Sequence, residues 1–209
     1  MILILDNYAK NGRVQQIVEA VQQYTNEPLN VISFKRAKEN DSSKISCLIL
    51  SGSAHNLSNK EDEKKYINEI EFIKACQAPV LGICFGHHIL GRAYGSKILQ
   101  GGWIKGEKGI RVLKRNEIFS SWSVGEKIIV NESHRDYVAQ LPKGFVLLAD
   151  SGSCQIEAMK HNVQPLYGIQ FHAERTEDGR QVIGNFIKNV VNPNKHDKPL
   201  NHALSGDKT

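Results

Sequence analysis

The sequence predicts an α/β fold, with a mostly parallel central sheet covered by helices on both faces and a smaller, partly antiparallel sheet beside it. Two patterns and one bound carry that prediction. In the first half, short wholly apolar runs alternate with amphipathic helical segments, as parallel strands buried on both faces require. From about Gly109 the segments shorten and alternate polar with apolar residues, the texture of strands joined by turns. A chain of 209 residues that is 40% hydrophobic suits one globular domain with a substantial core.

The first strand is the run Met1 to Leu5, followed by a helix with Val14, Ile17, Val18 and Val21 on one stripe and a second strand over Leu29 to Phe34. A third strand, Ile45 to Leu50, ends at Ser51-Gly52-Ser53. A charged helix is then expected from about Asn59 to Gln77, with Tyr66, Ile70 and Ile73 facing inward. Pro79 opens the strand Val80 to Cys84. The later strands are expected at Ile110 to Leu113, Lys127 to Val130, Phe145 to Ala149, Gln155 to Met159 and Leu166 to Phe171. A last helix runs from Glu177 to Val190, so the domain spans 1–191. The polar remainder, 192–209, holds two prolines and no periodicity, and reads as a disordered tail or a docking extension.

No stretch approaches the roughly 18 apolar residues that cross a bilayer, and the chain enters its first strand without a signal-type basic segment. A cytoplasmic protein without a membrane partner is the expectation. The net charge of +5 comes from Lys and Arg scattered among acids, which argues for a solvated surface and against a nucleic-acid partner. The cysteines Cys47, Cys76, Cys84 and Cys154 include no C-x-x-C pair, which argues against a metal or a redox couple. Cys47, Cys76 and Cys154 read as small buried hydrophobes.

Cys84 differs because it closes a buried-type strand and the next residues start a helix. Gly82 and Gly86 flank it two residues to either side, as in a nucleophile elbow where side chains would collide in the tight turn. The helix N-terminus presents free N–H groups and a positive dipole end, both favouring thiolate. Such a nucleophile needs a base and a group that orients the base. His172 and Glu174 supply both if the strand before them continues, since residues i and i+2 then project to one side.

The stretch Gly82-Ile83-Cys84-Phe85-Gly86 resembles the nucleophile motif of class I glutamine amidotransferases, and Gly168-Ile169-Gln170-Phe171-His172-Ala173-Glu174 resembles their Gly-x-Gln-Phe-His-Pro-Glu motif. Leu5-Asp6-Asn7, Ser51-Gly52 and Ser133-His134-Arg135-Asp136 extend the resemblance over roughly 1–190. Within the family, Cys154 to His161 looks most like the separate glutaminase subunit of archaeal-type GMP synthase. The anthranilate synthase glutaminase is less similar, because its His-Gly-Lys segment has no counterpart near Lys105 to Lys108. The resemblance implies a flavodoxin-like amidotransferase fold and the triad Cys84, His172 and Glu174. It also implies backbone oxyanion donors at Ser53 and Phe85, and substrate contacts at Gly52, His88, Ser133 and His134. No cofactor or metal is implied. Glutamine is the implied substrate, and the implied partner is a synthetase subunit that receives ammonia, with GMP synthase the best match.

Three positions depart from the family pattern. The Ser-Gly-Gly-Pro loop reads Ser51-Gly52-Ser53-Ala54, so a side chain stands where glycine dihedrals are expected. His88 replaces the usual glutamine four residues after the nucleophile; it either lines the substrate pocket, able to become cationic near neutral pH, or packs against its own helix. Ala173 replaces the motif's proline. By the same resemblance the backbone of Ser133 and His134 grips the amino-acid end of glutamine, or else His134 and Asp136 merely close a strand with polar turn chemistry. Two further functions compete with the ammonia-supplying glutaminase: a stand-alone hydrolase or transferase of another γ-glutamyl compound, and a non-catalytic regulatory module of the same fold.

Overall fold

The computed structural model describes residues 1–8 and 13–193; the expected tail lies, from 194 on, outside the described residues. Nine strands form a single mixed sheet: β1 (Ile2–Asp6), β2 (Leu29–Ser33), β3 (Cys47–Leu50), β4 (Val80–Ile83), β5 (Ile98–Val112), β6 (Lys127–Val138), β7 (Phe145–Asp150), β8 (Ala158–His161) and β9 (Leu166–Ile169). Their spatial order is β2-β1-β3-β4-β9-β8-β7-β5-β6. The first five in that order are mutually parallel, and β8, β7, β5 and β6 continue the same sheet in antiparallel pairing. The antiparallel strands are thus an extension of the parallel sheet rather than a second one.

Helices α1 (Val14–Gln22), α2 (Lys60–Lys65), α3 (Ile67–Ala75), α4 (Phe85–Ala93) and α5 (Glu177–Phe186) cover the sheet, and α5 continues as a π-helical turn over Ile187–Val191. Strand parity makes two cores. Ile2 and Ile4 pack with Ile17, Val21, Val182 and Phe186 on one face, while Leu3 and Leu5 pack with Phe34, Ile73 and Leu90 on the other. Both sets are buried, so β1 reads as one unbroken apolar run.

The helix expected over 59–77 is two helices that break at Tyr66, whose φ of −104° and ψ of 6° leave the helical region. The break seats the fully buried Tyr66 ring on Phe34, centroids 4.3 Å apart, and on Phe85 at 4.7 Å. β5 begins twelve residues before the expected Ile110, because Gly101, Gly102, Gly106 and Gly109 mask its alternation. β6 runs on to Val138, so His134 and Asp136 lie inside a strand and do not close one. Inward positions of β6 alternate through Ile128, Val130, Glu132, His134, Asp136 and Val138, all buried.

Candidate active site

Segments after the C-terminal ends of β1, β3, β4 and β9 converge on one cavity of about 180 Å³, where open α/β sheets characteristically bind ligands. Cys84, His172, Ser53, Phe85, His88 and Tyr8 all line it.

Cys84 sits between β4 and α4 with φ 52° and ψ −101°, the one non-glycine residue at positive φ among the described residues. Such a conformation stores strain of order 1–3 kcal/mol and persists only where the surroundings enforce it. The enforcement is visible. Cys84 N–H donates to Ile169 O at 2.8 Å, and Cys84 O accepts from His88 N–H at 3.2 Å. A Cβ on Gly82 would lie 2.5 Å from Gly86 O, and one on Gly86 would lie 2.4 Å from Leu50 O. Both flanking glycines are therefore demanded by close backbone approach. The first N–H groups of α4, Phe85 included, lie at its N-terminus, where no helical carbonyl precedes them.

His172 and Glu174 meet as expected, with His172 Nδ1 2.9 Å from Glu174 Oε1. The geometry that joins them is not a strand, since β9 ends at Ile169 and Ala173–Arg175 form a 3-10 turn. His172 is fixed instead by a bridge to β6, its N–H donating to Asn131 O at 2.8 Å. Ala173 is fully buried at the start of that turn. Burial opposes a charge on His172, but its interaction with Cys84 and then with Glu174 outweighs it and raises the imidazole well above its ordinary value. Burial likewise opposes the Glu174 anion, and the hydrogen bond and charge of His172 overcome it, holding the carboxyl below its usual range.

The loop after β3 answers the glycine-to-serine departure. Ser53 does not adopt positive φ. Its hydroxyl donates to Asn7 O at 2.9 Å and accepts from His55 N–H at 3.0 Å, with the Tyr66 hydroxyl 3.3 Å away. Tyr66 Oη also lies 2.6 Å from His55 Nδ1. Asn7 Nδ2 donates to Ser51 O and to Glu69 Oε1, each at 3.2 Å. Ser58 N–H and Oγ donate to the Asp136 carboxylate at 2.8 and 2.9 Å, tying the loop to β6. Gly52 does not line the cavity: a Cβ there would sit 2.4 Å from Tyr8 Oη and 3.0 Å from His172 Cε1, so it makes room for both.

His88 both lines the cavity and packs internally, with Nε2 2.9 Å from Gln170 Oε1. Burial, opposed by that hydrogen bond, lowers its pKa to about 4, so His88 is neutral near pH 7 and the expected cation does not form. Ser133 and His134 also face the cavity. Sequence reasoning missed Tyr8, one residue beyond Leu5-Asp6-Asn7. Burial, and then the charge of Glu174, keep its phenol protonated in the cavity that Cys84 also lines. It also missed Arg175, which lines the cavity, and the fully buried carboxyls of Glu132 and Glu157, which do not. The charged residues at inward positions of β6 were the available signal for Glu132. Among the described residues, no group of three or more His, Cys, Asp or Glu is placed to hold a metal, and no helix is long and apolar enough to cross a membrane.

Comparison with known proteins agrees with this geometry. A glutamine-hydrolyzing GMP synthase subunit of Methanococcus aeolicus is 34% identical over 196 residues, covering 90% of this chain and 96% of the relative. The protein of the same description from Methanocaldococcus jannaschii matches to the same extent, 34% over 196 residues. A crystal structure described as a GMP synthase subunit of Thermoplasma acidophilum superposes with a TM-score of 0.79 at 27% identity, covering 89% of this chain and 91% of that one. The family described as Glutamine amidotransferase class-I matches residues 3–190, nearly the whole described chain, and the chain belongs to that family.

Proposed function

We propose that this chain is the glutamine-hydrolysing subunit of a two-subunit GMP synthase, with Cys84 as nucleophile, His172 as proton carrier and Glu174 as the group that orients it. One observation carries the reading: a cysteine strained at φ 52° faces a buried His172–Glu174 pair joined at 2.9 Å. The Cys84 thiolate attacks the side-chain amide carbon of glutamine, and the tetrahedral oxyanion takes hydrogen bonds from the backbone of Phe85 and Ser53. His172 gives its proton to the departing ammonia, leaving a γ-glutamyl thioester on Sγ. His172 then takes a proton from water, whose oxygen attacks the thioester, and glutamate leaves as the thiolate returns. Ser133 and His134 grip the amino-acid end, and His88 packs the pocket wall.

The ammonia acceptor is a nucleotide synthetase on a separate chain, a reading supported by relatives that are described as one subunit of the synthase and are covered over 96% of their length. Release of ammonia and glutamate from glutamine, measured with and without the candidate synthetase and its nucleotide substrates, tests both halves. Glutamine turnover that depends on Cys84 and is raised by the synthetase is the expected result. The neutral His88 in place of glutamine favours a second reading, hydrolysis of another γ-glutamyl compound. That reading prevails if γ-glutamyl amides are cleaved with a higher kcat/KM than glutamine.

A further inference from the structure

Behind the cavity wall lies a buried polar column that the chemistry above does not use. Its cavity end is His134, whose Nδ1 donates to Asp136 O at 3.0 Å and whose Nε2 lies 3.1 Å from Glu132 Oε2. Glu132, two residues earlier on the same inward face of β6, is fully buried. Next comes Glu157, also fully buried, immediately before β8, with its carboxyl close enough to that of Glu132 for the two to interact directly and with its Oε2, like both Glu132 oxygens, without a hydrogen-bond partner. Glu157 Oε1 accepts from Ser151 Oγ at 2.6 Å. Ser151 opens a turn at the surface, where the N–H groups of Ser153 and Cys154 donate to its hydroxyl at 3.1 and 2.9 Å. The column therefore runs from the cavity wall to a solvent-facing turn.

The protons in the column follow from its donors and acceptors. No backbone N–H, amide or hydroxyl donates to either oxygen of Glu132 or to Glu157 Oε2. Two carboxylates cannot share a buried contact while both are ionised, since each is an acceptor and neither is hydrated. One carboxyl must carry the proton that joins them. The Nδ1 proton of His134 is committed to the Asp136 carbonyl, and its Nε2 meets Glu132 Oε2 at 3.1 Å as a close contact that is not aligned as a hydrogen bond.

We propose that Glu157 and Glu132 are positioning residues for glutamine binding: protonated Glu157 donates to Glu132, and Glu132 holds the His134 imidazole in the wall of the glutamine site. The inference rests on the reading that this cavity binds glutamine. Burial first, and then the charge and contact of Glu132, push Glu157 up to about 9, with Ser151 opposing and Asp150 adding to the rise. The other titratable groups facing the column are Cys154 beside Glu157, and His87 and His88 of α4 beside His134. Below that pH the pair is joined by its proton. Above it two anions oppose each other, Glu132 is displaced and His134 loses its anchor.

Glutaminase kinetics from about pH 6 to about pH 10 on the full chain, with its synthetase if activity needs one, test this through the split between KM and kcat. In the wild type, KM for glutamine rises about tenfold through the alkaline limb while kcat stays within about threefold. Glu157→Leu raises KM about tenfold at every pH, and Glu157→Gln, a permanent neutral donor, rescues the neutral-pH KM and abolishes the alkaline rise. Ser151→Ala, which removes a donor favouring the Glu157 anion, moves the rise to higher pH. An alkaline rise that persists in Glu157→Gln, or a wild-type KM in Glu157→Leu, overturns the proposal. A readout independent of turnover is the infrared carboxylic-acid C=O absorption at neutral pH, to which buried Glu69 also contributes. Glu157→Gln must remove the Glu157 share, seen as a band in the wild-type-minus-variant difference spectrum, and a difference spectrum without that band also overturns the proposal. Loss of all glutamine turnover in the wild type, with the band present, strikes only the glutamine reading.

Discussion

Cys84 and the three other cysteines differ in the chemistry around their sulfurs, and that difference is testable residue by residue. Burial raises the thiols of Cys47, Cys76 and Cys154, whereas the Cys84 sulfur opens on the cavity beside a proton-holding His172. Iodoacetamide on the folded protein should label Cys84 first, read by peptide mass spectrometry; equal labelling of all four would refute a specially activated nucleophile. Cys84→Ala and His172→Ala should each lower glutamine turnover by about three orders of magnitude or more. Glu174→Ala should cost less, because in the proposed triad it orients the base and does not itself carry the proton to ammonia. A harmless Glu174→Ala would remove it from the triad. His88→Gln should change KM for glutamine and leave the pH profile between about 5 and 8 unaltered, since the imidazole it replaces is already neutral there. A profile that shifts in that window would show that His88 titrates in the site.

At the scale of elements, the break between α2 and α3 couples the sheet's helical cover to the loop after β3. Tyr66 at the break packs on Phe34 and Phe85, and its hydroxyl reaches His55 and the Ser53 hydroxyl, so a helix end supports the loop proposed to bind the oxyanion. Tyr66→Phe keeps the rings packed and removes the hydroxyl. The expected result is a stability loss of about 1 kcal/mol by denaturant unfolding. With it, kcat should fall roughly tenfold at unchanged KM, because the loop donors act on the transition state more than on bound glutamine. A rise in KM alone would place the loop in substrate binding instead. At the elbow, Gly82→Ala presses a methyl group to 2.5 Å from Gly86 O, where backbone must move. A loss of about 2–3 kcal/mol is expected, and a variant as stable as wild type would contradict the packing described.

Over the whole molecule, buried titrating groups set how stability depends on pH. Burial, opposed by the Asn7 hydrogen bond, raises Glu69 to about 8, and Glu157 and His172 are raised as well. Each has a folded value above its unfolded one, so its contribution is fully present below the unfolded pKa and is lost as pH rises through the folded value. Glu174 and Glu117 are lowered, burial being outweighed by hydrogen bonds from His172 and Lys160 respectively, so theirs is lost as pH falls through the folded value. Thermal unfolding should therefore peak on the mildly acid side and decline from about pH 6 to about pH 9. Glu69→Gln keeps an acceptor for Asn7 and should flatten that decline; an unchanged slope would mean that Glu69 is ionised in the folded protein.

The sequence by itself determined what is local. The elbow around Cys84 was legible because a strand end, two glycines and a helix start all fall within a few residues. His172 and Glu174 were legible because they are two residues apart, and the parallel half of the sheet because strands buried on both faces read as unbroken apolar runs. Tertiary structure alone decided what depends on partners distant in the chain. It joined the antiparallel strands to the central sheet, held Ser53 through Asn7, His55 and Tyr66, made His88 neutral beside Gln170, and set Glu132 against Glu157. The physical reason is that protonation, burial and loop conformation depend on desolvation and on opposing groups, and those are supplied only when residues far apart in sequence are packed together.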